Sequence, residues 1–89
     1  MHFNKKKHTG QSDKYLDNLE GLYEVQSIAN DTQAEIAEMS DLKDQQKLQT
    51  LLDKELKQLR EKDKLTKYDL DAAKARLEIA KAEIALEEA

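Results

Sequence analysis

Glu61-Lys62-Asp63-Lys64-Leu65-Thr66-Lys67-Tyr68-Asp69 is the stretch on which the fold turns. On either side of it apolar residues recur every seven positions, the spacing of a helix that packs against another helix. One row runs through Leu42, Gln49, Leu56, Asp63, Leu70, Leu77 and Ile84, and the other through Gln45, Leu52, Leu59, Thr66, Ala73, Ala80 and Glu87. Both rows turn polar inside the stretch, at Asp63 and Thr66. Thr66 followed three residues later by Asp69 also approximates a capping box, in which hydroxyl and carboxylate each accept from the other residue's backbone N–H. That favours a break near 63–65 and a fresh helix from Lys67. The seven-residue register nevertheless passes through unchanged, and neither Gly nor Pro interrupts it. One helix from Leu42 to the end, about 70 Å long at 1.5 Å per residue, is equally compatible. A break would instead fold residues 67–89 back on residues 42–62. An extended coiled-coil-like rod and a helical hairpin both satisfy the pattern.

Upstream, a different register holds. Tyr15, Leu22, Ala29 and Ile36 form one row and Val25, Thr32 and Met39 the other, with Asn18 a polar miss. Leu19 and Ile28 widen this stripe. The register slips by one position after Met39, where Ser40 offers a cap and Asp41 and Asp44 suit the first turn of a new helix. Gln45 and Gln49 make the opening of the second seam polar, so its firm part begins at Leu52. Residues 1–11 have no helical period and carry Lys5-Lys6-Lys7 and Gly10, the signature of a mobile basic tail. Ser12 is the expected N-cap of the first helix. The expected architecture is therefore all-α, with two or three helices at about 12–39, 42–62 and 67–89 in a single helical segment with weak points near 39–42 and 63–66.

The expected association seam comprises Leu42, Leu52, Leu56, Leu59, Leu70, Ala73, Leu77, Ala80 and Ile84, and the first-helix seam Tyr15, Leu22, Val25, Ala29, Ile36 and Met39. The last segment has a distinct texture. Ala72, Ala73, Ala75, Ala80, Ala82, Ala85 and Ala89 alternate with larger residues, and Ile79 and Leu86 mark a second apolar face. Packing of this much apolar helix against other chains is expected, because 89 residues bury little surface on their own.

Composition bounds the chemistry. Charged and hydrophobic residues each make up 38% of the chain, aromatics only 4%, and proline and cysteine are absent, a mixture that long helices and coiled coils use. No thiolate site or disulfide is available. The net charge of −4 conceals blocks: +3 over residues 1–10, −6 over 11–40, +2 over 41–68 and −3 over 69–89. Such alternation favours staggered or antiparallel pairing of helices. His2 and His8 fall in the tail at a spacing that does not share a helix face. The carboxylate pairs Asp13 and Asp17, Glu20 and Glu24, and Glu83 and Glu87 share faces but lack a third ligand. No metal, cofactor or small-molecule substrate is expected, and the chain is not expected to be an enzyme. The cations at Lys54, Lys57, Arg60, Lys62, Lys64 and Lys67 are interrupted by Asp53, Glu55, Glu61 and Asp63, so no nucleic-acid partner is expected. Nor is a membrane, since the apolar faces lack Trp and hold no long hydrophobic run.

Lys64-Leu65-Thr66-Lys67-Tyr68-Asp69-Leu70, continued by Ala75-Arg76-Leu77-Glu78-Ile79-Ala80-Lys81-Ala82-Glu83-Ile84-Ala85-Leu86-Glu87-Glu88-Ala89, resembles a segment of the tail tape-measure proteins of phages and prophages of Gram-positive bacteria. The matching positions are Tyr68, Asp69 and Leu70, which open a charged helix, and Ala85 to Ala89, which close it. The resemblance implies a mechanical role: helical repeats packed along the tail lumen, located in the virion tail or, during assembly, in the bacterial cytoplasm. It also implies that the chain is a piece of a longer protein or a small separate tail protein. Homo-oligomers or other helical proteins are the expected partners, and the alternatives to a tail component are a small helical adaptor or chaperone that pairs with a secreted toxin's helical domain and an acidic capsid-scaffolding protein.

Overall fold

The computed structural model describes residues 15–88, all of whose regular structure is helical. The expected basic tail at 1–11 and the cap at Ser12 lie outside these residues. Helix α1 spans Asn18–Glu38, α2 spans Leu42–Arg60 and α3 spans Lys67–Glu88. The chain folds back at both connections, so the rod is not formed and the hairpin gains a third helix. Side-chain contacts fix the directions. Gln33 on α1 meets Gln49 on α2, Arg76 on α3 meets Glu55 on α2, and Lys81 on α3 meets Glu35 on α1. Helix α2 therefore runs antiparallel to both others, and α1 and α3 run parallel.

Each boundary has a local cause. Tyr15 to Asp17 are not helical, which corrects the expected start near residue 12: Asp17 is the N-cap, its carboxylate accepting from the Glu20 N–H at 3.2 Å. An aspartate satisfies the orphan N–H groups of the first turn as well as serine does. At the next boundary Asp41, not Ser40, caps α2, accepting from the N–H of Lys43 at 2.8 Å and of Asp44 at 3.4 Å. The side-chain amide of Gln45 closes the other side of this corner, donating to the carbonyls of Ile36 at 3.2 Å and Met39 at 2.9 Å. The polar seam position thus serves the carbonyls at the C-terminus of α1, of which that of Ile36 also accepts from the Met39 N–H at 3.1 Å. At the third boundary the capping box forms in full: the Thr66 N–H donates to Asp69 at 3.0 Å and the Asp69 N–H donates to the Thr66 hydroxyl at 3.1 Å.

The core is a single cluster built from all three helices: Val25, Ile28, Ala29 and Ile36 from α1, Leu48, Leu52, Leu56 and Leu59 from α2, and Leu70, Ala73, Leu77 and Ile84 from α3. Met39, Leu65 and Ala80 pack at its margin, and Thr32 is buried with it. Most of the expected seam residues therefore face one another within one chain, and any association with another chain has to use a different surface. Three corrections follow. Leu42 is 66% exposed, and Tyr15, Leu19 and Leu22 are exposed as well. For Leu42 the reason is helical drift, since a straight helix departs from a strict heptad by about 20° per seven residues, whereas Tyr15 precedes the first residue of α1. Projected back two heptads from Leu56, the row at Leu42 has turned out of the core. Leu48 and Glu55, outside both expected rows, are instead buried. Helix α2 touches a helix on each side, and covering both needs a third row.

The loop at 61–66 is pinned to the start of α1. The Leu16 N–H donates to the Leu65 carbonyl at 2.9 Å, and Gly21 lies under the Leu65 side chain, where an added Cβ would stand 3.2 Å from Leu65 Cδ1. Glycine weakens a helix interior by about 1 kcal/mol relative to alanine, but here its bare Cα lets the loop close on α1.

Candidate interaction surface

Helix α3 has two apolar faces. Leu70, Ala73, Leu77 and Ile84 point into the core, and on the far side Tyr68, Ala72, Ala75, Ile79, Ala82 and Leu86 follow one another at spacings of four and three residues. At 100° per residue these six positions form one stripe along nearly the whole helix, diametrically opposite the buried row. Tyr68, Ile79 and Leu86 are 78%, 59% and 76% exposed, and none of the described residues covers them. Ile79 and Leu86 are the residues at which the sequence indicates a second apolar face. The regularity of the complete stripe is missed because Ala72, Ala75 and Ala82 read only as small residues that belong to neither face in particular.

The edges of this stripe are acidic. Asp71 and Glu78 line one edge and Arg76 and Glu83 the other. Arg76 is turned inward, its Nε and Nη2 donating to the two carboxylate oxygens of Glu55 at 2.8 and 2.7 Å, a bidentate pairing that matches the planar fork of arginine. The Glu55 hydrogen bonds, outweighing desolvation, raise Arg76 above its ordinary value and keep it cationic at every working pH. Glu55 is only 2% exposed, and sequence spacing gives no signal for this pair, whose members are 21 residues apart on different helices.

The side of the bundle where α1 meets α3 is held by charge. Lys81 binds Glu35 of α1 and, at 2.6 Å, Glu78 of α3. Burial pushes the Lys81 ammonium down, but these two carboxylates more than offset it and hold the pKa above the ordinary lysine value. Helix α1 itself carries Glu20, Glu24, Asp31, Glu35 and Glu38 and no basic residue. A cation-π contact, Lys64 Nζ 5.3 Å from the Tyr15 ring centre, closes the end near the loop.

Asp69 sits at the root of the stripe. Burial pushes its carboxyl up, but the Thr66 N–H, Lys62 at 3.1 Å and the Thr66 hydroxyl together hold it below the ordinary aspartate value of 3.8. A carboxylate with a lowered folded pKa stabilises the fold fully above the unfolded value and loses that contribution as pH falls through the folded one. The stability difference between wild type and Asp69→Asn, followed by urea denaturation, is therefore expected to be constant from pH 7 to about 5 and to shrink below about 4. A difference that stays flat down to pH 2 would remove Asp69 from this role. Thr66→Ala is expected to cost about 1 kcal/mol through the lost cap.

Concavities of about 80, 360 and 590 Å³ are lined by Leu16, Gly21 and Leu65, by Asp53, Leu56 and Arg60, and by Lys43, Lys47 and Glu87 respectively. Every buried side-chain N or O among the described residues has a hydrogen-bond partner, and no group of three or more His, Asp or Glu is placed to hold a metal. His2 and His8 lie outside the described residues. No helix among them is long and apolar enough to cross a membrane. The chain matches no family model, and no curated protein or solved structure matches it.

Proposed function

We propose that this chain is a structural component of a phage tail, of the tape-measure kind, that acts by helix-to-helix association and not by catalysis. The observation that carries the reading is the outer stripe of α3, an apolar helix face of heptad spacing left uncovered after the bundle has completed its own core. The resemblance of residues 64–89 to tape-measure segments supplies the setting, and that resemblance falls on the helix with the open face. An adaptor that pairs with the helical domain of an exported protein is a second reading. It is favoured by the separation of a self-sufficient core from an open face on α3. Antibody against residues 15–88 is expected to label density-purified tail particles from cells that encode the chain. Its absence from particles, with recovery in an equimolar complex with an exported polypeptide, would replace the tail reading with the adaptor.

A further inference from the structure

We infer that the outer face of α3 docks one amphipathic helix of a different chain, whose small and apolar residues at three-and-four spacing are flanked by Lys or Arg, in preference to a second copy of this chain. The inference rests on the helix-association reading and adds the chemistry of the partner. The spacing of Tyr68, Ala72, Ala75, Ile79, Ala82 and Leu86 is that of one side of a two-helix seam, and a single helix is what such a seam accepts. Three alanines in the middle let the partner's axis come close, and the larger Tyr68, Ile79 and Leu86 mark off its turns.

Charge selects the partner. Arg76, the one base on the edges of the stripe, is taken up by Glu55, whereas the acids on those edges stay open to water. Asp71 is 56% exposed with Lys67 3.9 Å away, Glu78 is 71% exposed and shares Lys81 with Glu35, and Glu83 is exposed as well. The acids of α1 add to the same sign on the adjoining helix. A second copy meets like charge in the alignments that use the full stripe. Antiparallel, with Tyr68 opposite Leu86, Glu78 faces Glu78 of the second copy. Parallel, Glu78 faces Glu83. Like charges across a seam disfavour that pairing, and opposite charges favour and orient another.

The probe is a fluorescent 22-residue helical peptide, the length of α3, with Leu and Ala at the seam and Lys at both flanks, compared with one of identical seam and Glu flanks. Binding to the full chain is read by anisotropy and self-association by sedimentation. The Lys-flanked peptide is expected to bind about tenfold tighter, the sum of three or four weak flank pairs, with the preference shrinking as salt is added. Ile79→Ser with Leu86→Ser is expected to abolish binding while leaving the thermal melt unchanged, because both side chains are exposed. Glu78→Lys with Glu83→Lys is expected to reverse the preference between the peptides. Equal affinity for the two peptides, binding of neither, or a dimer of the free chain that the serine changes dissociate would each overturn the assignment. A chain found in tail particles yet blind to both peptides would retain the tail reading and lose this partner, whereas specific binding by a chain absent from particles would do the converse.

Discussion

Leu52→Ala is expected to remove about 2–5 kcal/mol of stability, whereas Leu42→Ala is expected to change stability by less than about 0.5 kcal/mol. Both are leucines of α2 on the seam expected from sequence. Leu52 is fully buried among residues of all three helices, so truncation leaves a cavity as well as losing apolar contact. Leu42 opens α2 with its side chain in water. A chain of 89 residues holds about 4–13 kcal/mol at 0.05–0.15 kcal/mol per residue, so one cavity consumes a large share. Urea denaturation followed by circular dichroism measures both changes. Because the seam is closed within one chain, the midpoint is expected not to move with protein concentration. A midpoint that rises with concentration, together with equal costs at Leu42 and Leu52, would mean the seam lies between chains after all.

The contrast between those two leucines shows what could be read from the sequence. The helices and the weak points near 39–42 and 63–66 were legible because they depend on local signals: the capping pair Thr66 and Asp69, the register slip after Met39, and rows such as Leu70, Leu77 and Ile84 that repeat at seven. The choice between rod and hairpin was not legible. It depends on contacts distant in sequence, the Leu16 N–H on the Leu65 carbonyl and Leu65 over Gly21, which no periodicity encodes. The expected seam failed at its ends for a related reason. A two-row heptad describes a helix with one neighbour, and α2 has two, so Leu48 and Glu55 form a third row and Leu42 falls outside the core, while Tyr15 lies before the first turn of α1. The open face of α3 was half legible. Ile79 and Leu86 stand out as apolar residues off the seam, but alanine suits a core and a surface alike, and only the position of the core assigns Ala72, Ala75 and Ala82 to the other side.

Arg76→Leu is expected to cost about 2–3 kcal/mol, and adding Glu55→Leu to it is expected to restore most of the loss, leaving the double variant within about 1 kcal/mol of wild type. The asymmetry follows from where the two charges sit. Glu55 is buried between Leu48 and Leu59 on the inner side of α2, and its two oxygens are satisfied by Arg76 alone among side chains, at 2.8 and 2.7 Å. Arg76 reaches in from a half-exposed position, so the single change strands a carboxylate away from water, at a cost below the full figure for a wholly buried pair. Leucine at both positions removes the stranded charge and extends the apolar row that begins at Leu48. A double variant as unstable as Arg76→Leu alone would show that the pair contributes net stability. The pair's other consequence concerns alignment. The apolar contacts between α2 and α3 are made by leucines and alanines repeated at seven, which fit almost as well after a shift of one heptad. A two-pronged bond between two particular residues fits only once. The double variant is therefore expected to keep its helicity while exchanging amide hydrogens in α3 faster than wild type at equal global stability, and unchanged protection there would show that the apolar rows set the register unaided.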